Sequence, residues 1–200
     1  MEIDFRALVV IMMSAVLVNN YVLRQFLGVC PFLGVSKDLK SSVGMGIAVM
    51  FVMLMAASVT WPIQVYLLDT NGLDFMQTVV FILVIATLVQ LVEVVLKRYL
   101  PALFASLGVY LPLMTTNCAV LAVTISNVNK GYTYIEALVS AIGAGLGFFV
   151  AMVIFTGVRA HTASADPPDA FKGVPITLIS AAILSLAFFG FEGVIENLFK

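Results

Sequence analysis

Two cysteines are present, and each opens a heptapeptide of the same pattern. Cys30-Pro-Phe-Leu-Gly-Val-Ser36 and Cys118-Ala-Val-Leu-Ala-Val-Thr124 share Leu at the fourth position, Val at the sixth and a hydroxyl at the seventh. A thiol deep in an apolar run is a small packing residue, half of a disulfide, or, as thiolate, a ligand to a metal or an iron–sulfur group. Other chemistry is sparse. No Ser/His/Asp set and no pair of carboxylates is visible, which argues against hydrolysis, and the single histidine, His161, cannot build a metal site alone. A second element follows each heptapeptide in the same order: Gly44-Met-Gly46 before Ile47-Ala-Val-Met-Phe-Val-Met53, and Gly143-Ala-Gly145 before Leu146-Gly-Phe-Phe-Val-Ala-Met152. The chain reads as two related halves.

The elements that must position these thiols belong to a membrane. Of 200 residues 62% are hydrophobic and 10% charged, and mean hydropathy is +1.12, far outside the range of soluble domains. Six apolar windows are long enough to cross a hydrocarbon core of roughly 30 Å, at about 5–36, 42–67, 75–97, 99–126, 133–158 and 173–192. The expected fold is an all-α polytopic membrane protein, a single integral domain over 1–200 with one repeat at about 5–97 and a second at about 99–192. The start, Met1-Glu-Ile-Asp-Phe-Arg6, is acidic and lacks a small-residue cleavage pattern, so the first span is expected to remain. The longest connection, about 159–172, is a short Pro-containing loop that holds His161 and leaves no room for a soluble catalytic domain. A net charge of -1 gives no reason to expect nucleic acid.

Three spans per half is an odd number, so the second half enters the membrane upside down. Six spans then form two inverted three-helix repeats about a pseudo-twofold axis in the membrane plane, where functional sites gather near the midplane. Such an axis makes Cys30 and Cys118 neighbours despite the 88 positions between them. Lys37, Lys40, Lys97, Arg98, Arg159 and Lys172 crowd one side, against Arg6, Lys130 and Lys200 on the other. The positive-inside rule therefore puts both termini outside, with Trp61, Tyr66, Tyr132 and Tyr134 as an outer aromatic belt.

Spans 1 and 4 are too long. Residues 5–36 as one straight helix would reach about 48 Å. Pro31 disfavours helix at Cys30, with Gly28 and Gly34 permissive beside it, and Pro101 and Pro112 interrupt the fourth span, so both spans are expected as half-helices broken near the cysteines. Lipid cannot satisfy the backbone groups freed at a break. Asn19, Asn20, Thr115, Thr116 and Asn117 either repair the breaks or line a cation path, and the N–H groups at a half-helix start suit an anionic ligand.

Among the remaining polar groups, Arg24 is read as snorkelling or pairing with a partner's carboxylate or a lipid phosphate. Glu93, beside Gln90, is read as an i to i+4 partner of Lys97, and Glu136 as a helix-start acid. The Gly44/Gly46 and Gly143/Gly145/Gly147 clusters have no strand before them and read as helix-packing surfaces rather than nucleotide motifs.

At Leu17-Val-Asn-Asn-Tyr-Val-Leu23, Phe26-Leu-Gly-Val-Cys-Pro-Phe-Leu-Gly-Val-Ser-Lys37, Leu111-Pro-Leu-Met-Thr-Thr-Asn-Cys-Ala-Val-Leu121 and Ser185-Leu-Ala-Phe-Phe-Gly-Phe191 the chain strongly resembles the RnfA/NqrE family of membrane subunits, over essentially its whole length. Asn19-Asn20 looks more like the Rnf than the Nqr branch. The resemblance implies a subunit of an Rnf ion-translocating ferredoxin:NAD oxidoreductase, a complex of the prokaryotic inner membrane. It implies that Cys30 and Cys118 ligate half of an intramembrane 2Fe-2S cluster, with an RnfE-like sister subunit donating two further cysteines. This chain supplies two of the four ligands that an all-cysteine cluster requires. It also implies Rnf subunits of the B, C, D and G types as partners, no flavin or NAD on this chain, and Na⁺ or H⁺ as the ion moved. Negative charge gained at mid-membrane would attract a nearby cation strongly in low dielectric. Competing readings are an NqrE-type subunit of a sodium-pumping NADH:quinone reductase, a secondary transporter whose cysteines only pack, and a purely structural assembly subunit.

Overall fold

The computed structural model describes residues 5–36, 38–72, 74–99, 117–165, 168 and 171–190, and every long element among them is helical. In chain order, α1 is Phe5–Met13, continued by a π-helical turn at Ser14–Val18, and α2 is Val29–Val35. α3 is Leu39–Ile63, extended by a π turn at Gln64–Leu68, and α4 is Gln77–Tyr99. α5 is Cys118–Asn129, α6 is Tyr134–Ser164 and α7 is Val174–Phe189. Three of these helices are long and apolar enough to cross a membrane, at Leu39–Leu68, Gln77–Val95 and Tyr134–Ser164. The stretches Leu8–Leu17, Cys118–Asn129 and Val174–Phe189 are apolar but shorter. The architecture is that of an all-helical polytopic membrane protein.

Local chemistry sets the helix starts. Asp38 caps α3, its carboxylate accepting from the Ser41 N–H at 3.3 Å. At α6 the Thr133 N–H donates to Glu136 Oε2 at 2.9 Å in a capping box, the role expected for this glutamate. The end of α6 departs from expectation. A loop was expected from about 159, but the helix runs to Ser164 and carries Arg159 and His161, because Arg159-Ala-His-Thr-Ala-Ser164 has no helix breaker and the prolines come only at Pro167 and Pro168.

The core lies where α3 crosses α6. Backbone closeness comes from glycine: a Cβ on Gly46 would sit 2.6 Å from Phe149 Cδ2, and one on Gly145 would sit 2.6 Å from Met50 Cγ and 3.0 Å from its Cα. This contact is reciprocal, since 99 positions separate Gly46 from Gly145 and the same number separate Met50 from Phe149. Each glycine holds the side chain that stands four positions beyond the other glycine, the pattern of a twofold interface. The half-helices follow suit. Phe32 of α2 stacks on Phe155 of α6 with centroids 4.1 Å apart, and α5 packs on α3. Buried hydroxyls lock one end of the crossing, where Thr156 Oγ1 donates to Ser42 Oγ at 2.9 Å. At the other end the Trp61 indole donates to the Tyr132 carbonyl at 2.8 Å and meets Tyr134 edge-on. Three of the four expected belt aromatics therefore do share one end. Burial, and then the nearby Tyr21 phenol and Glu136 carboxylate, push the Tyr132 phenol above its ordinary range.

Candidate site at two half-helix starts

The break in the first span precedes Cys30 rather than falling on it. Residues between Val18 and Val29 are non-helical, Phe26 has φ 53° and Gly28 has φ 76°, the left-handed value that glycine tolerates best. Pro31 lies inside α2, a correction to its expected role as breaker. It occupies the first turn, where its missing N–H costs no intrahelical bond. Cys30 is thus the second residue of α2 and Cys118 the first residue of α5.

The two starts meet. Gly28 caps α2 and Asn117 caps α5, and a Cβ on Gly28 would lie 2.9 Å from Asn117 Oδ1 and 3.2 Å from Ala119 Cβ. Only a residue without a side chain lets the caps approach this closely. Both cysteines are exposed and neither is in a disulfide, so the expected burial of these thiols does not hold for this chain. Their positions on the first turns of abutting helices turn them to its surface.

Asn117 accepts from the Ala119 N–H through Oδ1 at 3.0 Å, while its Nδ2 is a buried donor without a hydrogen-bond partner. An orphaned donor next to Cys118 suits a negatively charged, sulfur-rich group, and two surface thiols on touching helix starts suit half of a four-cysteine site. No cluster of three or more His, Cys, Asp or Glu side chains placed to hold a metal occurs among the described residues.

The polar residues at the break have definite tasks. Asn20, 3% exposed, donates to the Gly147 carbonyl at 2.8 Å and accepts from the Val22 N–H at 3.0 Å and the Leu23 N–H at 3.4 Å. Asn19 donates to Ser14 Oγ at 2.9 Å and accepts from Arg24 Nη1 at 2.8 Å, and the Arg24 guanidinium lies 5.9 Å from the Phe189 ring centroid. Ser185 of α7 donates to the Leu23 carbonyl. Gly147 lets this repair happen, because a Cβ there would sit 3.2 Å from Asn20 Nδ2. Thr115, Thr116, Pro101 and Pro112 lie outside the described residues. One positioning residue went unread in the sequence: Arg159 donates from Nη1 to the Leu33 carbonyl at 2.7 Å and to Ser36 Oγ at 2.8 Å, pinning the end of the half-helix that carries Cys30. Its sequence signal, a cation beside an apolar helix, marks sidedness and does not by itself reveal a contact.

A family model described as "Rnf-Nqr subunit, membrane protein" matches residues 8–195. The chain is 50% identical over 186 residues to the A-type subunit of the Na⁺-translocating ferredoxin:NAD⁺ oxidoreductase complex of Acetobacterium woodii, covering 93% of this chain and 97% of that one. It is 50% identical over 190 residues to the A-type subunit of the ion-translocating oxidoreductase complex of Syntrophotalea carbinolica, with 95% and 98% covered. With the corresponding A-type subunit of Vibrio parahaemolyticus it shares 44% over 188 residues, with 94% and 98% covered. By a match that covers residues 8–195 the chain belongs to the Rnf-Nqr family of membrane-protein subunits.

Proposed function

We propose that this chain is the A-type subunit of an ion-translocating ferredoxin:NAD oxidoreductase, and that Cys30 and Cys118 hold one half of a 2Fe-2S cluster whose other two thiolates come from a sister subunit. A bound cluster of this kind supplies one-electron transfer at mid-membrane depth. The observation that carries the reading is the contact between Gly28 and Asn117, which puts two exposed thiols on adjoining helix starts in a chain half identical to its A-type relatives. The residues around the two thiols then have tasks. Asn117 Nδ2 offers a donor beside Cys118, Asn20 satisfies the backbone groups freed at the first break, and Arg159 fixes the Cys30 half-helix.

The wider architecture is part of the proposal: six spans in two inverted repeats at about 5–97 and 99–192, both termini outside, in a prokaryotic inner membrane, with B-, C-, D- and G-type subunits alongside and Na⁺ or H⁺ as the ion. The reciprocal Gly46–Phe149 and Gly145–Met50 packing supports the inverted repeat. The positive charge near the Arg159 end of the crossing supports the orientation.

Purified complex carrying Cys30→Ala or Cys118→Ala tests the assignment. Both variants should assemble with their partners yet lose the iron, the cluster's EPR signal and ferredoxin-dependent NAD reduction. An unchanged signal and activity would sink the redox reading. Activity lost only together with assembly would mark the cysteines as structural.

A further inference from the structure

Between the last turns of α6 and the start of α7 lies a cavity of about 280 Å³. Arg159 and Lys172 bring cationic side chains to it, Thr162, Thr177 and Ser180 supply its hydroxyls, Phe155 and Ile176 form an apolar wall, and among the described residues no carboxylate lines it. All three hydroxyls already donate to backbone, Thr162 to the Val158 carbonyl, Thr177 to the Gly173 carbonyl and Ser180 to the Ile176 carbonyl, so binding at this wall is carried by the cations. Arg159 carries five N–H donors, its two contacts to Leu33 and Ser36 both run through Nη1, and the residue lines the cavity. The first turn of α7, capped by no side chain, forms part of the same wall and adds the positive end of a sixteen-residue helix.

Depth narrows the ligand. From Tyr134, at the aromatic end of α6, to Arg159 is roughly 37 Å of helix at 1.5 Å per residue, more than the hydrocarbon core of about 30 Å. The cavity therefore lies at headgroup level on the opposite side. Lys40, in the first turn of α3, shares that end, since α3 and α6 run antiparallel with Ser42 against Thr156. We propose that this cavity binds the phosphate of an anionic phospholipid from that leaflet, with Arg159 and Lys172 as its cationic partners and the Phe155 and Ile176 wall against the glycerol and first methylenes. A lipid seated there places its negative charge on the guanidinium that holds the Cys30 half-helix.

The test uses the full chain solubilised with its copurifying subunits and placed in nanodiscs of mixed phosphatidylglycerol and phosphatidylcholine, with retained lipid quantified by native mass spectrometry. Wild type and Lys40→Glu, a change at the same end but outside the cavity, should retain phosphatidylglycerol in preference to phosphatidylcholine. Lys172→Glu should weaken that retention by about tenfold or more. Ala163→Trp should do the same by filling the cavity from an exposed position without altering charge, and it decides the matter if Lys172→Glu does not fold. Equal retention in wild type and Ala163→Trp overturns the proposal, as does an equal loss in Lys40→Glu, which would make the effect one of general surface potential. Displacement of the lipid by millimolar inorganic phosphate would reassign the site to a free anion.

Discussion

Asn20 shows how one amide makes a broken membrane helix tolerable. Its carboxamide serves the Gly147 carbonyl on one side and the Val22 and Leu23 N–H groups on the other, groups that lipid could not satisfy. Replacing it with leucine keeps the volume and strands those partners, each costing about 1–3 kcal/mol when buried and unpaired. Asn20→Leu should therefore lower stability by about 3 kcal/mol or more in a detergent unfolding titration. Asn19→Ala, at a half-buried site whose partners can reach water, should cost about 1 kcal/mol or less by the same measurement. That a polar pair in an apolar run needs partners was readable from Asn19-Asn20. That the partner is a carbonyl 127 positions away was not, because that contact exists only once α6 lies against the break.

Helix packing rests on where the glycines sit along α3 and α6. A methyl on Gly145 would press on Met50 Cα at 3.0 Å as well as on its side chain, whereas the nearest backbone atom to a methyl on Gly46 is Phe149 Cα at 3.4 Å. Side chains yield more readily than backbone, so Gly145→Ala should destabilise more than Gly46→Ala. Gly157 has open space around its Cβ position, and Gly157→Ala should be neutral or stabilising by up to about 1 kcal/mol through helix propensity. Thermal survival of the purified chain, followed by size-exclusion chromatography, ranks the three. A reversed order of Gly145 and Gly46 would contradict the packing. The glycine clusters were legible as packing surfaces and the break near Cys30 was expected, while the role of Pro31 was misread. A proline can either break a helix or begin one, and what separates the two outcomes at Pro31 is the left-handed Gly28 held against Asn117.

For the molecule as a whole, polarity in the membrane is the property to measure. Trp61, Tyr132 and Tyr134 gather at one end of the α3–α6 crossing, and Lys40 and Arg159 at the other. With Cys30 and Cys118 replaced by serine, a cysteine at exposed Thr133 should react with a membrane-impermeant maleimide in intact cells, and one at exposed Ala163 only after permeabilisation. The opposite pattern would invert the orientation. α4 adds a second large-scale feature: only 17% of its apolar window is buried in this chain, so most of its surface is left for lipid or a neighbouring subunit.

Sequence alone was enough for the membrane class, the twofold pattern in the cysteine and glycine motifs, and the family, because these depend on composition and on residue order, which need no third dimension. The loop expected at 159–172 failed because helix termination depends on the breaker nearest in sequence, and Pro167 comes after Arg159 and His161. Only the tertiary structure decided that both thiols face outward from abutting half-helices, that Asn20 closes one break, and that Arg159 anchors α2. Each of these is a contact between segments about 90 to 130 positions apart, produced when α3 and α6 approach through Gly46 and Gly145 and carry their half-helices with them.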